Sequence, residues 1–275
     1  MMKQTIFCLL LYTYAATTYS AESICYGTTA IGYLKDGVSL PASGDNFVSY
    51  SYLASQLGRT YVHSTVKNII VDSYAALAQE FPTRKYKYAE TGFKKGGEFS
   101  PHKTHRNGLS VDFMVPVINK TGESDYFPTN PLNKFGYAVE FDKTGRYEDY
   151  KIDYEAMAAH IVQLHKSAVK SGVDIWRVIF DPALQPYLFK TQYGPYLKEH
   201  IKLSTKKSWV RHDEHYHVDF LIPCKPVGKE FNVAHTVKQS LVWSPYSLRH
   251  ILAPSNQYSS SLLKYVASEA RTRQK

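Results

Sequence analysis

Cysteine is scarce in this chain: there are three among 275 residues. Cys8 lies in the N-terminal segment, so Cys25 and Cys224 leave room for one intrachain disulfide at most. Long apolar runs are missing as well. Beyond the N-terminus no segment approaches the ~20 uncharged apolar residues that cross a bilayer, which excludes a helical membrane protein. Internal repeats and long low-complexity linkers are absent, which makes one domain the default. There is no His-Glu-x-x-His, so the helical metalloprotease motif does not apply. Acidic residues are fewer than basic ones, 24 against 33, for a formal net charge of +9.

The first twenty residues have the order of an export signal. Lys3 supplies the positive start, residues 6–16 are mostly apolar and uncharged, and the small residues Thr18, Ser20 and Ala21 place cleavage near Ser20 or Ala21. This predicts residues 1–20 as a signal peptide and residues 21–275 as a single exported, soluble domain. The other reading of that segment is a buried N-terminal helix. In an oxidising compartment Cys25 and Cys224 form an even pair, expected as a disulfide closing a loop of ~200 residues; the alternative is two free buried thiols. Without Lys3 the charge is +8. That suits an anionic partner, but Lys94-Lys95, Lys206-Lys207 and the tail 271–275 are short runs, and no nucleic-acid motif accompanies them.

Periodicity predicts a helix over residues 64–81, capped by Ser64 and ended by Pro82, with Val66, Ile69, Ile70, Tyr74 and Leu77 on one face. A second helix is expected over 153–172, from an Asp153 cap to a Gly172 stop, with Met157, Ile161, Leu164 and Ala168 as its stripe. Residues 110–117, 137–141, 173–180 and 215–222 read as strands. The fold class expected is α+β, a central, largely antiparallel sheet with flanking helices.

Five of the 11 histidines fall in two short segments. In His215-Tyr216-His217-Val218-Asp219-Phe220, strand alternation puts His215, His217 and Asp219 on one face and the apolar residues on the other. His212 precedes this strand closely enough to reach the same pocket. In the earlier segment Asp112 projects from a strand, and His105 arrives from the loop before it, with Gly108 permitting the turn. Histidine and carboxylate hold zinc, and three protein ligands with an open position make it catalytic. Two histidines and a carboxylate alone also suit other first-row metals. The plain alternative is a surface strand with exposed imidazoles.

At these residues the sequence resembles the penicillin-insensitive murein endopeptidases, relatives of the zinc D-Ala-D-Ala carboxypeptidases and dipeptidases whose fold the hedgehog domain shares. The wider pattern is His, six residues, Asp, then His-x-His, filled by His105, Asp112, His215 and His217. The murein branch adds a histidine three before each group, filled by His102 and His212. Glu90-Thr91-Gly92, Gly108 to Asp112 and Cys25-Tyr26-Gly27 also resemble that branch. The resemblance implies that His105, Asp112 and His217 hold one zinc ion, that His215 acts as base or transition-state stabiliser, and that His102 and His212 line the site. It implies a periplasmic enzyme cutting the D-alanyl-diaminopimelyl cross-link of peptidoglycan. Glu214, three before His217, competes for the role of base: a regular strand there turns it away, a turn there favours it. Asp219 is a possible partner for a ligand histidine.

Other readings stay open at this level. One is a non-catalytic zinc protein that binds cell wall. Another is a D,D-carboxypeptidase or dipeptidase of the same fold. Ser64-x-x-Lys67 with Lys120-Thr121-Gly122 or Lys143-Thr144-Gly145 mimics a serine enzyme, yet Ser204-x-x-Lys207 shows how easily the pattern arises. Lys103, Arg106 and Arg211 are the cations nearest the site in sequence. The 23 tyrosines read as core and surface packing; Tyr86, Tyr88, Tyr126 and Tyr216 are candidates to flank the site, which the sequence itself does not decide.

Overall fold

The computed structural model describes residues 21–206 and 210–228. The expected signal peptide and the chain beyond 228 lie outside these residues, as does Lys207. Five strands make the main sheet: β1 (Phe47–Ser49), β2 (Tyr86–Tyr88), β3 (Ser110–Met114), β4 (Asp174–Ile179) and β5 (His215–Leu221), in the order β4-β5-β3-β2-β1. Every pair is antiparallel except β1 with β2. The α+β expectation holds.

Two helices cover the back of this sheet. Helix α1 (Ser64–Glu80) buries Val66, Ile69, Ile70, Tyr74 and Leu77, the predicted stripe. Its cap is His63, whose Nδ1 accepts from Thr65 N, and not Ser64, which sits one residue inside. The Ser64 hydroxyl instead accepts from Ser23 N at 3.0 Å. Helix α2 (Tyr154–Lys170) starts on Asp153, whose carboxylate accepts from Ala156 N, and is followed by Gly172 at φ 73°. Tyr74 of α1 stacks on Phe47 and on His160 of α2, with centroids 4.4 and 4.7 Å apart. His160 meets Phe113 edge-on, and Phe113 stacks on Tyr216. The alternate residues of β3 and β5 are therefore fixed on the helix side, and their partners must face the other way.

Two expected strands differ. The run 110–117 stops at Met114, because Val115 N goes to Glu214 O and Pro116 has no amide to give; a separate short strand, Val117–Ile118, follows. Residues 137–141 are not a strand. They follow a 3₁₀ turn (Pro131–Gly136) capped by Asn130, and their amides bond locally or to a side chain: Val139 N to Gly136 O, Phe141 N to Asp213 Oδ2 at 2.6 Å. Val139 and Phe141 are nevertheless buried, so the alternation that resembles a strand records a packed loop.

The N-terminal hairpin (Ile24–Gly27 with Gly32–Lys35) is fastened to the segment leaving β5. Cys25 and Cys224 are disulfide-bonded, with Cα atoms 4.9 Å apart, and Lys225 N donates to Cys25 O. The predicted pairing is thus present. None of the described helices is long and apolar enough to cross a membrane.

Candidate metal centre

The register of β3 against β5 sets Asp112 opposite His217 and Ser110 opposite Asp219. With Val111, Phe113, Tyr216 and Val218 held by the core, Asp112, His215, His217 and Asp219 emerge on the other face. All four are buried, because the loop 92–108 and the segment 137–141 close over them.

His105 enters from that loop with φ 68°, a left-handed conformation costly for a non-glycine residue. Gly92 lies beneath its carbonyl: a Cβ there would come within 2.9 Å of His105 O. Gly108 turns at φ 77°, and a Cβ on it would strike His63 N and Leu34. The His105 ring is then fixed by its own hydrogen bond. Nδ1–H donates to Thr91 O at 2.9 Å, which leaves the Nε2 lone pair directed inward. That Nε2 is fully buried, lies 3.3 Å from Asp112 Oδ1, and has no hydrogen-bond partner among the described residues. Burial lowers the pKa of the ring, against the pull of Asp112.

His217 Nδ1 reaches the same Asp112 Oδ1 at 2.8 Å, while Nε2 bonds Asp219 Oδ1 at 2.8 Å. Asp219 also takes Ser110 Oγ and Arg177 Nε, both at 2.6 Å. Burial opposes a charge on His217, but Asp219 and Asp112 outweigh it and lift its pKa to about 10. Burial likewise opposes ionisation of Asp112, which His105 and His215 overcome, holding it well below the usual carboxylate range. His102, His105 and Asp112 each offer a ligand atom, all within 4.8 Å of one another. His102 Nδ1 is 3.8 Å from Asp112 Oδ2. A dry carboxylate ringed by imidazoles, one with an orphaned inward nitrogen, fits a divalent metal ion of the zinc type.

A family profile described as penicillin-insensitive murein endopeptidase matches residues 25–235. The chain belongs to that family. No individually curated protein matches it. The membership makes this chain a murein peptidase by descent, with peptidoglycan as the substrate of its family.

Two further histidines, His215 and His212, lie beside this cluster. His215 Nε2 lies 3.8 Å from Asp112 Oδ2, and its Nδ1 bonds Glu214 Oε1 at 2.8 Å. Glu214 occupies the bend just before β5, so strand alternation does not turn it away. Its carboxyl bonds His215 through Oε1, and burial raises its pKa to about 9. His212 packs on His215, centroids 4.6 Å apart, and holds Val210 O through Nδ1.

Four site residues escaped the sequence reading as such. Tyr137 donates its hydroxyl to Asp112 Oδ2 at 2.9 Å, and its ring lies 5.0 Å from His215. Glu90 bonds His102 Nε2 and Arg59 Nε closely, and accepts from Tyr50 Oη at 2.9 Å. Burial would raise the Glu90 pKa, but Arg59 and His102 hold it far below the usual range. The tyrosines Tyr86, Tyr88, Tyr126 and Tyr216 serve packing and the surface, as the general reading of the tyrosines expected. The Tyr216 hydroxyl bonds the core imidazole of His160, Tyr88 donates to Pro41 O, Tyr86 packs against Tyr74, and Tyr126 lies beside Lys85 and Lys87. Arg211 is engaged bidentately by Asp213 and also by Glu140, which ties residues 137–141 to the start of β5. Arg106 braces the loop, its amide on Thr29 O and its carbonyl taking Gly97 N. Lys103 is exposed.

Proposed function

We propose that this protein is a zinc-dependent endopeptidase that hydrolyses the D-alanyl-diaminopimelyl cross-links of peptidoglycan in the periplasm, exported by residues 1–20 and folded as a single metallopeptidase domain over 21–275. The observation that carries the reading is the buried, unpartnered Nε2 of His105. Such a nitrogen costs about 1–3 kcal/mol when it bonds nothing, and a metal ion removes that cost. His105, Asp112 and His217 are the proposed ligands, since His105 Nε2 and His217 Nδ1 converge on one oxygen of Asp112. Bound there, zinc would supply Lewis acidity for the scissile carbonyl and acidify a water towards neutral pH.

The protein's own groups do the rest. Thr91 O and Asp219 hold the two ligand imidazoles in one orientation each. Tyr137 occupies the second oxygen of Asp112, so that carboxylate keeps one rotamer. His215 faces Asp112 with Nε2 and is backed through Nδ1 by Glu214. In the proposed mechanism His215 accepts the proton of an attacking water, or donates to the developing oxyanion, with Glu214 as its orienting partner; these contacts support that role. His102 and His212 line the site on either side.

Purified mature protein incubated with cross-linked muropeptide dimers, and read by mass spectrometry, tests the reaction. Conversion to monomers that stops with chelator, returns with zinc and ignores penicillin is expected. No cleavage with metal still bound would contradict the enzyme reading, and cleavage blocked by penicillin alone would contradict the metal. His215→Ala is expected to lower kcat about 10²–10⁴-fold with zinc retained; wild-type turnover in that variant would move the role of base to Glu214.

A further inference from the structure

Arg59 and Glu90 form a buried ion pair that the proposed chemistry has not used. Its anchorage is extensive. Glu90 Oε1 takes Arg59 Nε and the Tyr50 hydroxyl, while Oε2 takes His102 Nε2. The Arg59 guanidinium also donates to Ser100 O at 3.2 Å and lies over the Phe99 ring, 4.0 Å from its centroid. Phe99 in turn packs against both His102 and His105. The backbone of Glu90 serves the same site. Its carbonyl accepts from Asp112 N at 3.0 Å, and its amide donates at 3.2 Å to Tyr137 Oη, whose hydrogen goes to Asp112 Oδ2. One residue thus touches His102 through its carboxylate and Asp112 through its main chain.

We propose that Glu90 is the positioning residue that sets the tautomer of His102, so that His102 presents an unprotonated Nδ1 to the metal-centre side. A carboxylate accepts only, so the Glu90 contact requires the His102 proton on Nε2. In the neutral ring the lone pair is then on Nδ1, the nitrogen 3.8 Å from Asp112 Oδ2. Arg59 and Tyr50 hold the other carboxylate oxygen and keep Glu90 from turning away. His102 thereby acts as an acceptor, towards a metal ion or a substrate N–H, and not as a donor to the oxyanion. This rests on the metallo-endopeptidase reading for its purpose but not for its geometry.

Glu90→Gln tests it sharply. The amide has one oxygen for three donors, Arg59, Tyr50 and His102. Arg59 carries a permanent charge and takes that oxygen, which leaves the NH2 group against His102 Nε2 and drives the His102 proton to Nδ1. Imidazole ¹⁵N spectra of the metal-free full-length mature protein, with His102 assigned from His102→Gln, read this directly. The wild type is expected to carry the proton on Nε2 and Glu90→Gln on Nδ1. In kinetics on muropeptide dimers Glu90→Gln is expected to lose 10–100-fold in zinc affinity or kcat with little change in KM. Glu90→Asp retains the charge for Arg59 and is the control for folding; it should keep the wild-type tautomer and recover most of the loss. A wild-type His102 protonated on Nδ1, or the same tautomer in wild type and Glu90→Gln, would overturn the inference even if the enzyme is active. A wild type that neither binds zinc nor cleaves would overturn the proposed function, while the spectra still decide the role of Glu90.

Discussion

His105, His217 and His160 have different jobs because their ring nitrogens have different partners. In His105 one nitrogen is spent on Thr91 and the other is bare; in His217 both meet carboxylates; in His160 Nδ1 meets only Tyr216 within the core. His160 belongs to stability, not to the site. Burial presses its pKa from the ordinary 6.5 to about 3. Between those values the unfolded chain binds a proton that the folded chain refuses. Stability is therefore complete above about pH 6.5 and declines as the pH falls towards 3, by up to ~1.4 kcal/mol per pH unit. His160→Gln is expected to be less stable at neutral pH through lost packing, but its stability should fall less steeply with acid, by about one proton. Urea titrations at several pH values measure that slope. Asp112 and His217 were expected to leave their strands on the site face by alternation, and the family resemblance joined His105 to them; the fold brings the three side chains together. Tyr50, Arg59, Glu90 and Tyr137 were not readable as a set, because they come from four separate segments that only the tertiary fold brings together.

At the level of elements, the site is a consequence of two adjacent strands and the glycines of one loop. The helices and the strand pair β3–β5 followed from periodicity, since each has one face in the core. Residues 137–141 misled for the same reason: Tyr137, Val139 and Phe141 alternate with Ala138 and Glu140, yet the amide of Phe141 is claimed by Asp213 and no strand among the described residues partners the segment. Burial sets the alternation there, while the hydrogen bonds decide the element. The loop's dependence on Gly108 is specific, because its φ is 77° and a Cβ would stand 2.8 Å from the His63 amide nitrogen. Gly108→Ala is expected to cost about 1–3 kcal/mol and to lower zinc affinity by displacing His105. Thermal melting with and without zinc checks both; an unchanged melting temperature and affinity would mean that the loop is not built on this glycine.

Across the whole molecule, the disulfide links the start of the described chain to the segment that leaves β5, the strand that carries His215 and His217. Its loop spans 199 positions, for which the chain-entropy model gives up to about 5 kcal/mol. The hairpin it fastens also supplies Thr29 O to Arg106 N, next to His105. Cys25→Ser with Cys224→Ser is therefore expected to lower the denaturant midpoint clearly and to weaken zinc binding more modestly. Equilibrium unfolding of the oxidised protein and of the double variant compares them, and equal midpoints would show that the bridge does not stabilise the fold.

The claim on which the rest depends is that the bare nitrogen of His105 is a metal ligand. Zinc content per chain, measured by elemental analysis after dialysis against a limiting chelator, tests it in wild type and in His105→Ala. One zinc per folded wild-type chain, and a loss of at least tenfold in affinity in a folded His105→Ala, is the result expected. A wild type that retains no zinc, or a variant that holds it as tightly, would contradict the account.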